Sequence, residues 1–314
     1  MDLKFNTRAY NQITKLPNGV IKKTSTSDRL LDEINYYKNI VNSLSVLYPR
    51  LINSEIESKL YTLYLEYYPY NTLSDYFLST NFKNWNLIFT NLYQVIELMK
   101  TVRYPGSYDS NIYARAMYID KTINEYQNFA KTYNDTELFS KTSLIINDVC
   151  YQNFLKVWPI VEEKIKQFLL SYTPSVIHGD MCFSNILYHK QVGPRFIDMR
   201  GSFGQKGIYG DTTYDYAKLF HSVNGGYEYI INDKFTANKI STAKYEVKLL
   251  ATDNKQLAYD SFLSVFKQIN LPIIKLVEGL IYIGMCARHY DSQSRQLIMY
   301  LTGIKSLNES IQEL

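Results

Sequence analysis

The chain reads as an α+β protein in two unequal lobes, a small N-terminal lobe built on an antiparallel sheet and a larger, mainly helical C-terminal lobe. Three observations carry this expectation. Asn18-Gly19 sits between two short alternating segments, the strongest short-range signal of a hairpin. A β-rich run, Tyr61 to Leu65, ends in Glu66-Tyr67-Tyr68-Pro69-Tyr70, an extended link that leads directly into a helix start at Thr72. Beyond it, apolar residues recur at 3.6-residue spacing in separate stretches. At 314 residues with 46% hydrophobic content, the chain can bury one large core or two smaller ones. The link at 66–71 is therefore the expected border, with 1–67 as the first lobe and 68–314 as the second.

In the first lobe, the hairpin runs from Gln12 to Leu16, turns at Pro17-Asn18-Gly19 and returns through Val20 to Thr24. On the returning strand Val20 and Lys22 share one face and Ile21 and Lys23 the other, so one of the two lysines points toward the interior. Ser27 or Asp28 can cap the helix that follows, with Leu31, Ile34 and Ile40 as its apolar stripe and Glu33 alongside.

In the second lobe, helical periodicity covers 85–99, 112–129, 157–170, 214–223, 256–269 and 272–307. Trp85 and Trp158 are the expected core anchors. The stretch 101–138 is rich in Tyr, Asn and Asp; recurring aromatic residues mark it as a solvated face of a folded region and not as disorder.

The stretch on which the chemistry rests is 176–200, VIHGDMCFSNILYHKQVGPRFIDMR. It places His178-Gly179-Asp180 on a loop, Asn185 at the head of a strand, a turn at Gly193-Pro194, and Asp198 at the end of a second strand through Phe196 and Ile197. An amide oxygen and a carboxylate facing each other across a hairpin can share one divalent cation. Asp180, on the preceding loop, stays off the metal and free to take a proton or orient a hydroxyl. Phosphoryl transfer requires these parts and little else.

His178-Gly179-Asp180-x4-Asn185 followed by Ile197-Asp198 resembles the Brenner-type motif of the aminoglycoside phosphotransferase and choline kinase superfamily, the small-molecule relatives of protein kinases. Gly210-Asp211-x3-Asp215-x-Ala217-Lys218-Leu219 is similar to the family's second signature, and two linked signatures in order are far more specific than a lone HGD. The resemblance implies a bilobal protein-kinase-like fold, ATP and Mg2+ as cofactors, and transfer of the γ-phosphate to a hydroxyl of a small-molecule acceptor. Asp180 is then the catalytic base or hydroxyl orienter, with His178 bracing its loop, and Asn185 and Asp198 are the metal ligands. Lys23, paired with Glu33, holds the nucleotide phosphates, with Lys22 the open alternative. Main-chain groups of Glu66 and Tyr68 meet the adenine edge, with Leu63 or Ile52 as its apolar floor. Arg200 neutralises phosphate oxygens or holds Asp211. Asp211 fixes its own loop, and Asp215 accepts hydrogen bonds from the backbone at His178-Gly179. The segment 6–11 lacks the glycines of a protein-kinase phosphate loop, and Arg8 is the candidate phosphate contact there.

The remaining composition excludes other classes. The 34 basic and 30 acidic residues are scattered, which argues against a nucleic-acid partner. No apolar run has the length of a membrane span, and the N-terminal MDLKFNTRAY lacks the apolar core of a signal peptide. Cys150, Cys182 and Cys286 are far apart, which suits a reducing cytoplasm. Nothing bears on oligomeric state. D-F-G and A-P-E are missing, which points away from protein substrates. Beyond Asp215 there is no acidic cluster for a polyamine, so a sugar or glycan precursor is the first choice of acceptor. Choline, ethanolamine or another amino alcohol is second, and a nucleotide-binding pseudokinase without chemistry is third. The IDxRGSFG…GDxxYDxAKLxHS pattern is similar to phosphotransferases associated with bacterial capsule or surface-glycan loci.

Overall fold

A computed structural model describes residues 11–80 and 82–314; the segment 6–10, and with it Arg8, lies outside the described residues. Strands β1 (Asn11–Lys15) and β2 (Val20–Ser25) form the expected hairpin, and β3 (Leu51–Glu57) and β4 (Leu60–Glu66) complete an antiparallel sheet in the order β1-β2-β4-β3. The register sets Lys23 opposite both Ile13 and Leu63, and Lys22 opposite Thr14 and Tyr64. Directly opposed residues share a face of the sheet. Lys23 therefore lies with the fully buried Leu63, whereas Lys22 stays half-exposed, its ammonium 5.7 Å from the ring of Tyr64. Ile52 is 45% exposed on β3 and forms no apolar floor; Leu63 alone of that pair is buried.

Ser27 caps helix α1 (Asp28–Asn39), which packs against this sheet. Its buried stripe is Leu30, Glu33, Ile34 and Tyr37, the i, i+3, i+4, i+7 pattern of a core-facing helix. Leu31 is only half-buried and Ile40 ends the helix, so the stripe runs one residue earlier than its apolar spacing suggested. Tyr36 donates from its hydroxyl to the carbonyl of Ile177 at 3.0 Å, which ties α1 to the loop at His178.

After β4 the chain runs extended to β5 (Asn71–Thr72), where Thr72 and Asp75 form a reciprocal capping box for α2 (Leu73–Leu78). There follow α3 (Trp85–Thr101) and a long rod made of α4 (Ser110–Ala114), a π-helical turn (Arg115–Asp120) and α5 (Lys121–Thr132). Next come α6 (Glu137–Ser140), β6 (Ser143–Ile146), β7 (Val149–Gln152), α7 (Phe154–Phe168) and β8 (Ser175–Val176). The hairpin β9 (Ile186–His189) and β10 (Gly193–Phe196) pairs through β9 with β5. Short strands β11 (Ser202–Phe203), β12 (Gln205–Lys206) and β13 (Tyr209–Gly210) lead to α8 (Thr212–Val223) and α9 (Tyr227–Ile231). Strands β14 (Phe235–Ser241) and β15 (Lys244–Leu249) join β6 and β7 in a second four-stranded sheet that the sequence reading missed. Four-residue strands such as β6 carry too little alternation to stand out from helical surroundings.

Helices α10 (Asp253–Val265), α11 (Leu271–Cys286) and α12 (Gln293–Glu313) close the lobe. The periodic stretch 272–307 is two helices, broken by a 3-10 turn at Ala287–His289 and restarted at Ser292, whose side chain caps α12. Helix α11 is apolar nearly all round because it is wrapped by other helices. Trp85 is fully enclosed among Phe77, Phe82, Phe89 and Phe183, and that cluster anchors the loop that carries Asp180.

Candidate active site

The site is organised by the β9–β10 hairpin and the two loops at its open end. Asn185 closes a 3-10 turn, its carbonyl accepts from Ile197 N–H at 3.0 Å, and the next residue, Asp198, thereby lies beside it. Asn185 spends its amide N–H on the carbonyl of Asp180 at 2.9 Å, which turns its side-chain oxygen away as the available ligand. Asp198 adopts φ +59°, a left-handed conformation that a non-glycine residue holds only where its surroundings dictate it, and its side chain is 46% exposed.

From the sheet side, Lys23 reaches this loop. Its Nζ lies 2.6 Å from Glu33 Oε2 and 2.5 Å from Asp198 Oδ1, so one buried ammonium links β2, α1 and the residue after the hairpin. Burial pushes the Glu33 carboxyl up to about 7, with Lys23 opposing the rise. Burial also works against the charge of Lys23, but Asp198 and Glu33 outweigh it and keep the ammonium protonated.

The loop at 178–180 is held from below. Asp215, on the first turn of α8, accepts from the N–H of His178 and of Gly179, both at 2.7 Å. Enclosure pushes the Asp215 carboxyl up to about 7 despite those two donors. Gly179 has φ +77°, and a Cβ there would stand 2.7 Å from the Cβ of Arg200, so no other residue fits. His178 is fully buried; its Nε2 donates to Ile197 O at 3.0 Å and its Nδ1 accepts from Asp180 N–H at 3.1 Å. Burial lowers its pKa to about 4, so the ring is neutral. Of the two residues grouped as catalytic, only Asp180 presents its side chain to solvent. Both ring nitrogens of His178 are spent on backbone, which braces the loop.

Asp211 caps α8 by accepting from Thr213 N–H at 2.9 Å and accepts the hydroxyl of Tyr118 at 2.8 Å. Arg200 does not hold it. Its backbone N–H donates to His178 O at 2.9 Å, and its guanidinium donates to the hydroxyl of Tyr214 at 3.2 Å. At the link between lobes, Glu66 N–H is spent on Arg50 O and Tyr67 N–H on Gly19 O. The half-buried Tyr68 ring lies between Tyr70, 5.4 Å away, and the Arg195 guanidinium, 5.9 Å away.

Two lysines escaped the sequence reading. Lys218 Nζ lies 2.8 Å from Asp180 Oδ1 with its side chain only 7% exposed. Burial alone would raise the Asp180 carboxyl; Lys218, helped by Arg200 and His178, reverses this and holds it well below the usual carboxylate range. The signal was available, since a lysine amid ten consecutive buried positions of α8 must have a partner. Lys121, at the start of α5, belongs to the same electrostatic neighbourhood.

This arrangement of sheet lobe, helical lobe and intervening hairpin is a protein-kinase-like fold. Among the solved structures similar to it are aminoglycoside phosphotransferases. A thermostable mutant of aminoglycoside phosphotransferase APH(4)-Ia in its apo form is similar with TM-score 0.60 at 11% identity, over 100% of this chain and 94% of that one. A ternary complex of an APH(4)-Ia variant with AMP-PNP and hygromycin B is similar with TM-score 0.61 at 10% identity, over 99% and 92%. The gentamicin complex of APH(2")-IIa is similar with TM-score 0.52 at 13% identity, over 96% and 89%. At these identities the shared property is the fold. No protein-family model and no curated sequence matches the chain.

Proposed function

We propose that the chain is an ATP- and Mg2+-dependent phosphotransferase that moves the γ-phosphate to a hydroxyl of a small metabolite. The observation that carries this reading is the linkage of Lys23, Glu33 and Asp198 on one side of a hairpin whose other loop presents Asp180 and Asn185. Lys23 binds nucleotide phosphates, and Glu33 fixes its direction. Glu66 through its carbonyl and Tyr68 through its N–H receive the adenine edge, at the lobe border expected at 66–71. Asn185 and Asp198 offer hard oxygen donors suited to Mg2+, and two protein ligands are what a site completed by phosphates requires. Magnesium at that position supplies charge neutralisation at the transferring phosphoryl group.

Asp180 orients the acceptor hydroxyl. The Lys218 ion pair keeps its carboxylate ionised, and in a loose transition state orientation matters more than basicity. No helix among the described residues is long and apolar enough to cross a membrane. The exposed thiol of Cys150 and the buried ones of Cys182 and Cys286 are all unpaired, which agrees with a cytoplasmic setting.

A sugar or glycan precursor of a surface polysaccharide is the preferred acceptor class. The cations Lys218 and Arg200 beside Asp180 disfavour an amino alcohol. Tyr214, Tyr216, Tyr227 and Tyr229 are all buried and offer no open aromatic cage. The test is calorimetric titration of ATP with and without Mg2+, followed by acceptor-stimulated ADP release across sugars, amino alcohols, aminoglycosides and a generic protein. Metal-dependent ATP binding abolished by Asp198→Asn, and turnover abolished by Asp180→Ala, are expected. Nucleotide binding without turnover of any acceptor leaves the pseudokinase reading, and choline alone as acceptor leaves the amino-alcohol one.

A further inference from the structure

Beside Asp180, on the side formed by α5, α8 and the end of α11, the charges do not balance. Lys218 is spent on Asp180 at 2.8 Å, and Arg288 is spent on Glu125, with Nη2 at 2.8 Å and Nε at 3.1 Å from Oε1. The guanidinium of Arg200 meets the hydroxyl and ring of Tyr214 and no carboxylate among the described residues. Lys121 forms no ion pair or side-chain hydrogen bond among the described residues, although it is half-buried. The charges that act on it are Arg200, Arg288 and Lys218, all repulsive, and Glu125, which Arg288 already holds. Of these four basic side chains, Lys218 and Arg288 are each held by a carboxylate, and Arg200 and Lys121 have no acidic partner among the described residues.

The same place is loosely packed. Gly284 is buried in the last turns of α11, yet a Cβ built there would meet a single atom within 4 Å, the Nζ of Lys121 at 3.7 Å. A glycine inside a helix is less favourable than alanine there. Here it leaves space next to an unpaired ammonium. Immediately before Lys121 the rod passes through its π-helical turn, Arg115–Asp120, a distortion frequent at functional sites. Burial and the three neighbouring cations hold Lys121 well below the ordinary lysine range, as expected of a group awaiting a counter-charge.

We infer that the acceptor is an anion, a hydroxylated small molecule whose carboxylate or phosphate group docks on Lys121 in the space beside Gly284, with Arg200 as second cation, while its hydroxyl meets Asp180. This rests on the phosphotransferase reading for the hydroxyl but not for the anion. It sets the acceptor apart from polyamines and choline, which Arg200 and a protonated Lys121 would repel.

The test compares glucose, glucosamine, glucuronic acid and glucose 6-phosphate on the full chain, by calorimetric binding without nucleotide and by stimulated ADP release with Mg2+ and ATP. The acid, the phosphate ester or both should bind and act at least tenfold better than glucose, with glucosamine weakest; which of the two leads identifies the anion. Lys121→Gln should raise the KM for the anionic acceptor at least tenfold, Lys121→Arg should recover most of that loss, and Gly284→Leu should mimic Lys121→Gln by filling the space. Equal use of glucose or glucosamine, or a KM indifferent to Lys121→Gln, overturns the inference and leaves the phosphotransferase reading standing. Lys121-dependent binding of the anions by a protein that binds no ATP supports the anion site and removes the phosphotransferase reading.

Discussion

Replacing Lys23 with Met separates structural from functional roles within one ion cluster. The ammonium makes two charge-assisted bonds, at 2.6 Å to the enclosed Glu33 and 2.5 Å to the half-exposed Asp198. Charge-assisted bonds contribute about 1.5–3 kcal/mol each, and breaking a buried pair costs about 3–5 kcal/mol. Asp198 can turn to water and Glu33, already near 7, takes up a proton once its partner is gone, so we expect a loss of about 3 kcal/mol at pH 7.5. A second change, Glu33→Gln, removes the stranded carboxyl and should return about half of that stability in chemical denaturation. It should not return function. ATP affinity and kcat/KM should stay at least 100-fold down in both the single and the double variant, since the charge proposed to bind the phosphates is missing from each. Lys22→Met, which loses only a weak contact with Tyr64, should cost under about 1 kcal/mol and leave turnover near wild type. The reasoning is refuted if the double variant regains ATP binding, or if Lys22→Met is the crippled protein.

Other outcomes follow from the same geometry. Lys218→Met leaves burial at Asp180 opposed only by the weaker effects of Arg200 and His178, so its carboxyl rises and the acid limb of the kcat/KM profile should move upward in pH; an unchanged profile would show that the pair does not control ionisation. Glu278 is enclosed, accepts from Asn224, Gly225 N–H and Ser306, and has its carboxyl pushed up to about 7 by burial. Because the folded protein holds this proton more tightly than the unfolded chain, the group's contribution falls as pH rises from the ordinary glutamate value through 7. Measured from pH 5 to 8, the stability of wild type relative to Glu278→Gln should fall by about 3 kcal/mol, and a flat difference counts against the assignment. Gly204→Ala places a Cβ 2.4 Å from the Tyr113 carbonyl at φ +70°, and should cost at least about 2 kcal/mol in thermal unfolding; a neutral result means the loop can lift away.

What the sequence disclosed was the part where chemistry restricts residue type. The HGD-x4-N and ID pattern announced its hairpin because few residues can serve there, and strand alternation with register explains why Lys23, not Lys22, reaches Glu33. The helical stripes of α3, α7 and α8 were legible from spacing. The second sheet was not, since β6 pairs with β15 across about a hundred residues and each strand is short. The break between α11 and α12 was hidden because apolar spacing continues through it on both sides. Lys121 was invisible for a different reason: its significance lies in having lost its carboxylate neighbour to Arg288, a relation between three elements that no linear pattern records.

The loop after Asp198 is pinned at two points where the backbones nearly touch. A Cβ on Gly201 would lie 2.3 Å from the Asp32 carbonyl of α1, and Lys206 adds an ion pair to Asp32 at 3.1 Å; Gly204 abuts Tyr113 on the rod that leads to Lys121. In kinases that are switched, this segment swings and the helix bearing the glutamate swings with it. Here the segment is a strut wedged between that helix and the rod, beside the lysine–glutamate bond. Were the chain the phosphotransferase proposed above, an enzyme built this way would be held in its assembled state. Its output would follow the supply of its two substrates and the amount of protein made, and a cell that needed to silence it would have to withhold one or the other.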